Sequence, residues 1–177
     1  MQWIGLDLES PPEPPTRTDA RFETFDGIEI PFDDESFDLV YCKQVLEHVR
    51  YPAPLLQHVS RVLAPGGYFA GSTSQFEPFH ALSMWNYTPL GFSNLIKDAG
   101  LKLVELRPGI DGPILIARRL VRRGPPFDRW WARWWGGQSP FNRVIDAYGR
   151  ARGLDVRTIN ANKLLFSGQF AFVAQRG

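Results

Sequence analysis

Residues 30–49 read IPFDDESFDLVYCKQVLEHV and residues 61–74 read RVLAPGGYFAGSTS. These two stretches decide the fold. Asp33 to Ser36 is an acidic, polar run suited to a turn, and Phe37 to Cys42 is apolar enough to be a central strand. Between the stretches, Leu55, Leu56, Val59, Val62 and Leu63 fall on one stripe at helical spacing. Pro52 and Pro54 sit where a first helical turn tolerates proline, and Ala64-Pro65-Gly66-Gly67 predicts a sharp helix end. Tyr68 to Ser72 then resumes as strand.

The same alternation extends outward. Upstream, Trp3 to Leu8 (WIGLDL) is apolar on both alternating faces, as expected of a parallel strand covered on each side. The proline-rich SPPEPPT that follows cannot be helix or central strand, because proline removes donors and fixes φ. Arg21 to Phe25 reads as a second short strand, closed by the turn pair Asp26-Gly27. Downstream, Thr88 is an N-cap and Pro89 a first helical residue. Leu90, Phe92, Leu95, Ile96 and Ala99 form the apolar stripe, and Gly100 is the stop. Leu101 to Leu106 alternates like a strand, and Gln169 to Ala174 makes a last one. Between them, residues 112–160 form a helical insertion rich in Arg and Trp. The expected fold is α/β, a mostly parallel, Rossmann-like sheet in one domain spanning 1–177, with right-handed crossovers. A bare, buried strand edge costs free energy, so strand 3–8 is expected to pair directly with 37–42 or to accept a strand from a second chain.

Composition narrows the function classes. A net charge of +1 over 177 residues provides no global field to recruit nucleic acid. The single cysteine, Cys42, excludes an intrachain disulfide and a cysteine-rich zinc site, and the histidines at 48, 58 and 80 lack metal-ligand spacing. Neither a secretory signal nor a run of roughly 20 apolar residues is present, so a cytoplasmic location is expected. No Ser or Cys lies in a nucleophile elbow.

In an open parallel sheet, ligands bind beyond the carboxyl ends of the strands. Asp7 and Glu9 end the first strand; Asp26 and the main chain of Gly27 and Ile28 follow the second; Cys42, Lys43 and Gln44 follow the third. A carboxylate at one strand end accepts from ribose hydroxyls. A second, beside backbone amides, suits an adenine amino group and ring nitrogen. The pattern reads as a nucleoside pocket.

The two quoted stretches also resemble the central signature of the small-molecule class I S-adenosylmethionine-dependent methyltransferases. The shared features are Ile-Pro-Phe, the acidic turn, Phe-Asp with its hydrophobic strand, Leu-Glu-His-Val, and Arg-Val-Leu-Ala-Pro-Gly-Gly before the next strand. The resemblance implies methyl transfer to a small molecule with S-adenosylmethionine as cofactor. It places Asp7 on the ribose and Asp26, five residues before Pro31, near the adenine. FEPFHALSMWNYTPLGFSNLIKDAGL is similar to a further segment of one branch, where a His, an aromatic and Tyr-Thr-Pro precede a helix ending in Ala-Gly. That similarity implies His80 and Tyr87 on the acceptor side, with His80 as catalytic base. Ser83 and Asn86 depart from the Asp and Arg usual in that branch.

The family's glycine-rich loop, Gly-x-Gly-x-Gly after a strand, does not occur in this chain, and in the family that strand lies between the ones here at 3–8 and 37–42. Weak cofactor binding and impaired transfer are therefore expected, the alternative being a methyltransferase-like module that acts as a binding or scaffolding surface. Glu47 and His48 read as packing rather than as an acid–base pair, and Cys42 as a small apolar residue. The tract RRLVRRGPPFDRWWARWW suggests a lid or a subunit contact, with at least two of Trp130, Trp131, Trp134 and Trp135 buried and Arg129 or Arg133 stacked on an indole. Self-association is expected, and a membrane-surface role is the less favoured reading because Asp128 and the broken helical phase weaken it.

Overall fold

The computed structural model describes residues 3–8, 21–77, 82–120 and 139–177. Its elements run β1 (Ile4–Leu8), β2 (Arg21–Phe25), β3 (Phe37–Lys43), a single 3-10 turn (Leu46–His48), α1 (Pro52–Val62), β4 (Leu63–Ser74), α2 (Pro89–Asp98) and β5 (Leu101–Pro108). Three helices follow, α3 (Gly112–Leu120), α4 (Pro140–Ala151) and α5 (Val156–Leu164), before β6 (Gln169–Arg176). The tryptophan tract at 130–135 lies outside the described residues.

The strands form two sheets, a parallel β1-β2 pair and a four-stranded sheet in the order β3-β4-β6-β5. β3 and β4 are parallel, while β6 runs against both β4 and β5. The fold is thus α/β with one reversed strand in an otherwise parallel four-stranded sheet. The direct pairing expected between 3–8 and 37–42 is not found. Among the described residues β1 pairs only with β2, from Ile4↔Arg21 to Leu8↔Phe25, and β3 pairs only with β4. The penalty on bare edges that motivated the expectation holds only where water is excluded, and β1 is half-exposed along most of its length.

α1 and α2 form as their sequences dictate. Pro52 and Pro89 start them, Thr88 Oγ1 caps α2 by accepting from Gly91 N at 3.1 Å, and Leu55, Leu56, Val59 and Val62 turn inward from α1. Both helices contribute to one core with β4 and β6. At its centre Phe92 has no exposed surface and meets Phe172 and Phe170 at ring distances of 4.7 and 5.2 Å, so truncating it to Ala should cost about 3–5 kcal/mol. The cover on both faces expected of residues 3–8 is incomplete, since β1 is half-buried with Leu8 exposed. From Phe170 to Gln175, buried positions of β6 alternate with half-buried or exposed ones, and Tyr41 and Tyr68 are 58% and 44% exposed.

Ala64-Pro65-Gly66-Gly67 ends α1 as expected but continues as β4 rather than as a loop. The register passes from Phe37↔Leu63 to Leu39↔Tyr68, so the extra residues form a bulge. Gly66 takes φ +77 there, a conformation cheap only for glycine. The acidic turn is tied to α1 by Arg61, whose guanidinium donates to Ile30 O at 2.7 Å, Phe32 O at 2.8 Å and Asp34 Oδ1 at 2.7 Å. The helices after β5 are anchored by Asp111, fully buried, which caps α3 through Ile114 N (2.9 Å) and accepts from Ser139 Oγ. Ser139 in turn caps α4, and a largely buried ion pair, Lys163 to Asp146 at 2.7 Å, joins α5 to α4.

Candidate functional site

The parallel pairing of β1 with β2 places two carboxylates at the same end of one small sheet. Asp7 sits opposite Thr24, one residue before the end of β1, and Asp26 directly follows β2. Asp7 Oδ1 accepts from the neighbouring Leu8 N at 2.8 Å. Asp26 Oδ1 accepts from Ile28 N and Glu29 N, both at 2.8 Å. Those two amides, Glu29 foremost, hold the Asp26 carboxyl below the usual carboxylate range. Each acid therefore uses one oxygen to fix its own loop. The Ile28 amide, expected beside an adenine ring nitrogen, is spent on Asp26. Gly27 makes the turn at φ +86, and a side chain there would also crowd Leu8 at 3.2 Å.

At the end of β3, Gln44 takes φ +54, which is uncommon for a residue with a Cβ. Its backbone N–H donates to Ser72 O at 2.8 Å and its side-chain amide to Ser72 Oγ at 3.2 Å, so β4 holds the bend in place. Lys43 is exposed. Burial, with the negative charge of Glu47 adding to it, pushes the Cys42 thiol up to about 12. It is a protonated, apolar side chain here, not a nucleophile.

A polar network missed by the sequence reading lies below this end of the sheet. Glu47 is fully buried and accepts from Thr73 Oγ1 at 3.0 Å, with Ser74 Oγ at 3.4 Å. Ser74 Oγ has a closer acceptor in Glu77 Oε2 at 2.7 Å, which also takes Gln169 Nε2 at 2.7 Å. The carbonyl of Glu47 accepts from Met84 N and Trp85 N, so segment 82–87 hangs on this turn. The available signal was the Ser-Thr-Ser run at 72–74 before Glu77, hydroxyl donors that buried carboxylates require.

Tyr87 is not presented to open solvent. Its ring is buried against Phe92, its hydroxyl donates to Leu46 O at 2.9 Å, and burial raises its pKa. His80 lies outside the described residues. Among the described residues no group of three or more His, Cys, Asp or Glu could hold a metal ion, and no helix is long and apolar enough to cross a membrane.

Residues 6–71 match the family described as "Methyltransferase domain". No curated protein matches by sequence. Among solved structures, a chain of the complex between the Haloferax volcanii Trm112 methyltransferase activator and a methyltransferase is similar at TM-score 0.59 and 19% identity, over 98% of this chain and 71% of that one. An S-adenosylmethionine-dependent methyltransferase from Mesorhizobium loti is similar at TM-score 0.53 and 17% identity, over 98% of this chain and 79% of that one. The cyclase SpnF shares the fold at TM-score 0.51 and 17% identity, over 89% of this chain, which spans only 56% of that protein. Identities this low speak to fold, and one fold hosts more than one chemistry. Residues 6–71 are thus similar to the methyltransferase-domain family, and the chain has the fold seen in solved S-adenosylmethionine-dependent methyltransferases.

Proposed function

We propose that this chain takes part in methyl transfer from S-adenosylmethionine to a small-molecule acceptor, and that its own residues hold the nucleoside half of the cofactor. The observation that supports this reading is the pair of acids at the ends of β1 and β2, each with one carboxylate oxygen committed to its own backbone. The second oxygen of Asp7 suits ribose hydroxyls and that of Asp26 an adenine amino group, since both ligand groups are donors. The residues present fit the nucleoside, whereas nothing in the sequence supplies the glycine loop for the methionyl end.

When bound, S-adenosylmethionine supplies a methyl that its sulfonium already makes electrophilic. What remains for the protein is orientation, exclusion of water and removal of a proton. Asp7 and Asp26 orient; Ser72 holds the bend at Gln44 that ends β3. His80 is the candidate base on the acceptor side. Tyr87 serves the acceptor side from beneath, by fixing Leu46 and with it the turn that carries segment 82–87.

Calorimetry with S-adenosylmethionine tests the reading. A dissociation constant near 1 mM, worth about 4 kcal/mol, is expected for the chain alone, with binding lost in Asp7→Ala. No heat at any attainable concentration would favour a module that acts through its surfaces. Micromolar binding would show that the methionyl end is also held.

A further inference from the structure

Helix α4 is fixed by its inner side. Its cap, Ser139, donates to buried Asp111, and Asp146 pairs with Lys163 of α5 at 2.7 Å. Gly149 lies so close to α5 that a Cβ there would stand 2.6 Å from Ile159 Cγ1. α5 in turn packs on β5, the strand farthest from β3 in the four-stranded order. With the inner side pinned, the outer side is settled too. Helical spacing puts Val144, Ala147, Tyr148 and Ala151 on one stripe, opposite Asn142 and Gly149. All four are exposed, Val144 at 65% and Tyr148 at 58%. Arg143 and Arg150 run along one flank of the stripe. On the other flank the Arg152 guanidinium stands 5.3 Å from the centre of the Tyr148 ring.

Residues 140–163 carry four arginines and Lys163 against Asp146 and Asp155, a net +3 in a chain whose total is +1. Lys163 and Asp146 cancel each other on the inner side. Asp155 spends both oxygens on Thr158. The outer surface is thus apolar along its ridge and cationic on both flanks.

We propose that α4 docks this protein peripherally on an anionic lipid surface, with the stripe at headgroup depth and Arg150 and Arg152 on lipid phosphates. Charge decides against a second copy, because two such faces would bring arginines against arginines with no uncommitted acid between them. Shape decides against a protein groove. Two alanines separate Val144 from Tyr148 and end the stripe, so the ridge is shallow and offers no large apolar anchor to fill a pocket. A fluid lipid surface moulds itself to such a ridge, takes a tyrosine at the level of the headgroups and lets arginine stems lie along it with their charges in water. Helix α4 has an unbroken phase, and its one acid is turned inward; the tryptophan tract lacks both features.

Co-sedimentation of the chain with vesicles tests this, using phosphatidylcholine alone and phosphatidylcholine with about a third of phosphatidylglycerol. Binding to the mixed vesicles alone is expected, weakened about tenfold or more as ionic strength rises from about 0.05 to about 0.5 M. Arg150→Glu combined with Arg152→Glu should weaken it about tenfold or more, and Val144→Trp should strengthen it about fivefold. All three side chains are exposed, so urea unfolding of the variants should match that of the wild type. The proposal is overturned if the chain binds neither kind of vesicle, or both equally. It is overturned if binding is indifferent to both variants, which would assign it to another part of the chain. A lipid-free dimer broken by the arginine substitutions would overturn it in favour of a second copy. Tighter binding to poly-glutamate than to the mixed vesicles would do so in favour of an acidic polypeptide.

Discussion

Glu47 and Thr73 meet at 3.0 Å in a part of the molecule that water does not reach, both with no exposed surface. The contact joins the 3-10 turn after β3 to the end of β4, and through the Glu47 carbonyl it also carries segment 82–87. A buried carboxylate is tolerable only with donors, and Thr73 is its closest one.

Thr73→Val keeps the shape and removes that donor, leaving Glu47 the longer Ser74 contact, which Glu77 contests. A loss of about 1–3 kcal/mol is expected in urea unfolding. Combining it with Glu47→Gln should cost less than the two single losses added, because they interrupt one interaction.

Gly71 separates β3 from β4 by the absence of a side chain. A Cβ there would stand 1.7 Å from the Cys42 carbonyl oxygen, backbone that cannot swing aside. Gly71→Ala should therefore lose about 3 kcal/mol or more, or fail to accumulate as folded protein. Gly66→Ala is the contrast: it meets open space and carries only the strain of φ +77, about 1–2 kcal/mol. Equal losses from the two would show that β3 and β4 are not in this register.

The Cys42 thiol, raised to about 12, should react with iodoacetamide at pH 8 on the order of 10³-fold more slowly than a free thiol. Full reactivity should return in denaturant. Rapid labelling of the native chain would place Cys42 in solvent and would remove the argument that it is merely apolar.

Asp26 should make stability depend on acid pH. Its folded pKa is depressed by the amides of Glu29 and Ile28, so its contribution is complete above the ordinary carboxylate pKa of about 3.9. It is lost as pH falls through the lower folded value. The stability difference between wild type and Asp26→Ala should be flat from pH 5 to 7, and should shrink steadily as pH is lowered from about 4. A difference unchanged at the acid end would mean that the carboxylate charge is not what holds the loop.

Much of the fold was legible because its signals are local. Helix α2 needed only Thr88, Pro89 and the stripe ending at Ala99, and the described cap is the one those residues imply. The strand at 101–106 and the last strand at 169–174 appear where alternation put them, each extended by two residues. Alternation has no sign, however. Nothing in QFAFVA says that β6 runs against its neighbours, because strand direction is set by the path of the chain through α3 to α5. The Asp26 turn was legible in Asp-Gly, but the commitment of the Ile28 amide to that carboxylate was not, since it depends on backbone angles.

What the sequence by itself determined about this protein is most of its α/β elements and the similarity of residues 6–71 to a methyltransferase domain, because periodicity, caps and motif spacing act over a few residues. The tertiary structure alone decided three things. β1 and β3 stand in separate sheets, Tyr87 spends its hydroxyl on Leu46 inside the core, and Glu47 finds its donors on a strand 26 residues away. Each depends on which groups water can reach and which edges meet, and those are properties of the packed chain rather than of any short stretch of it.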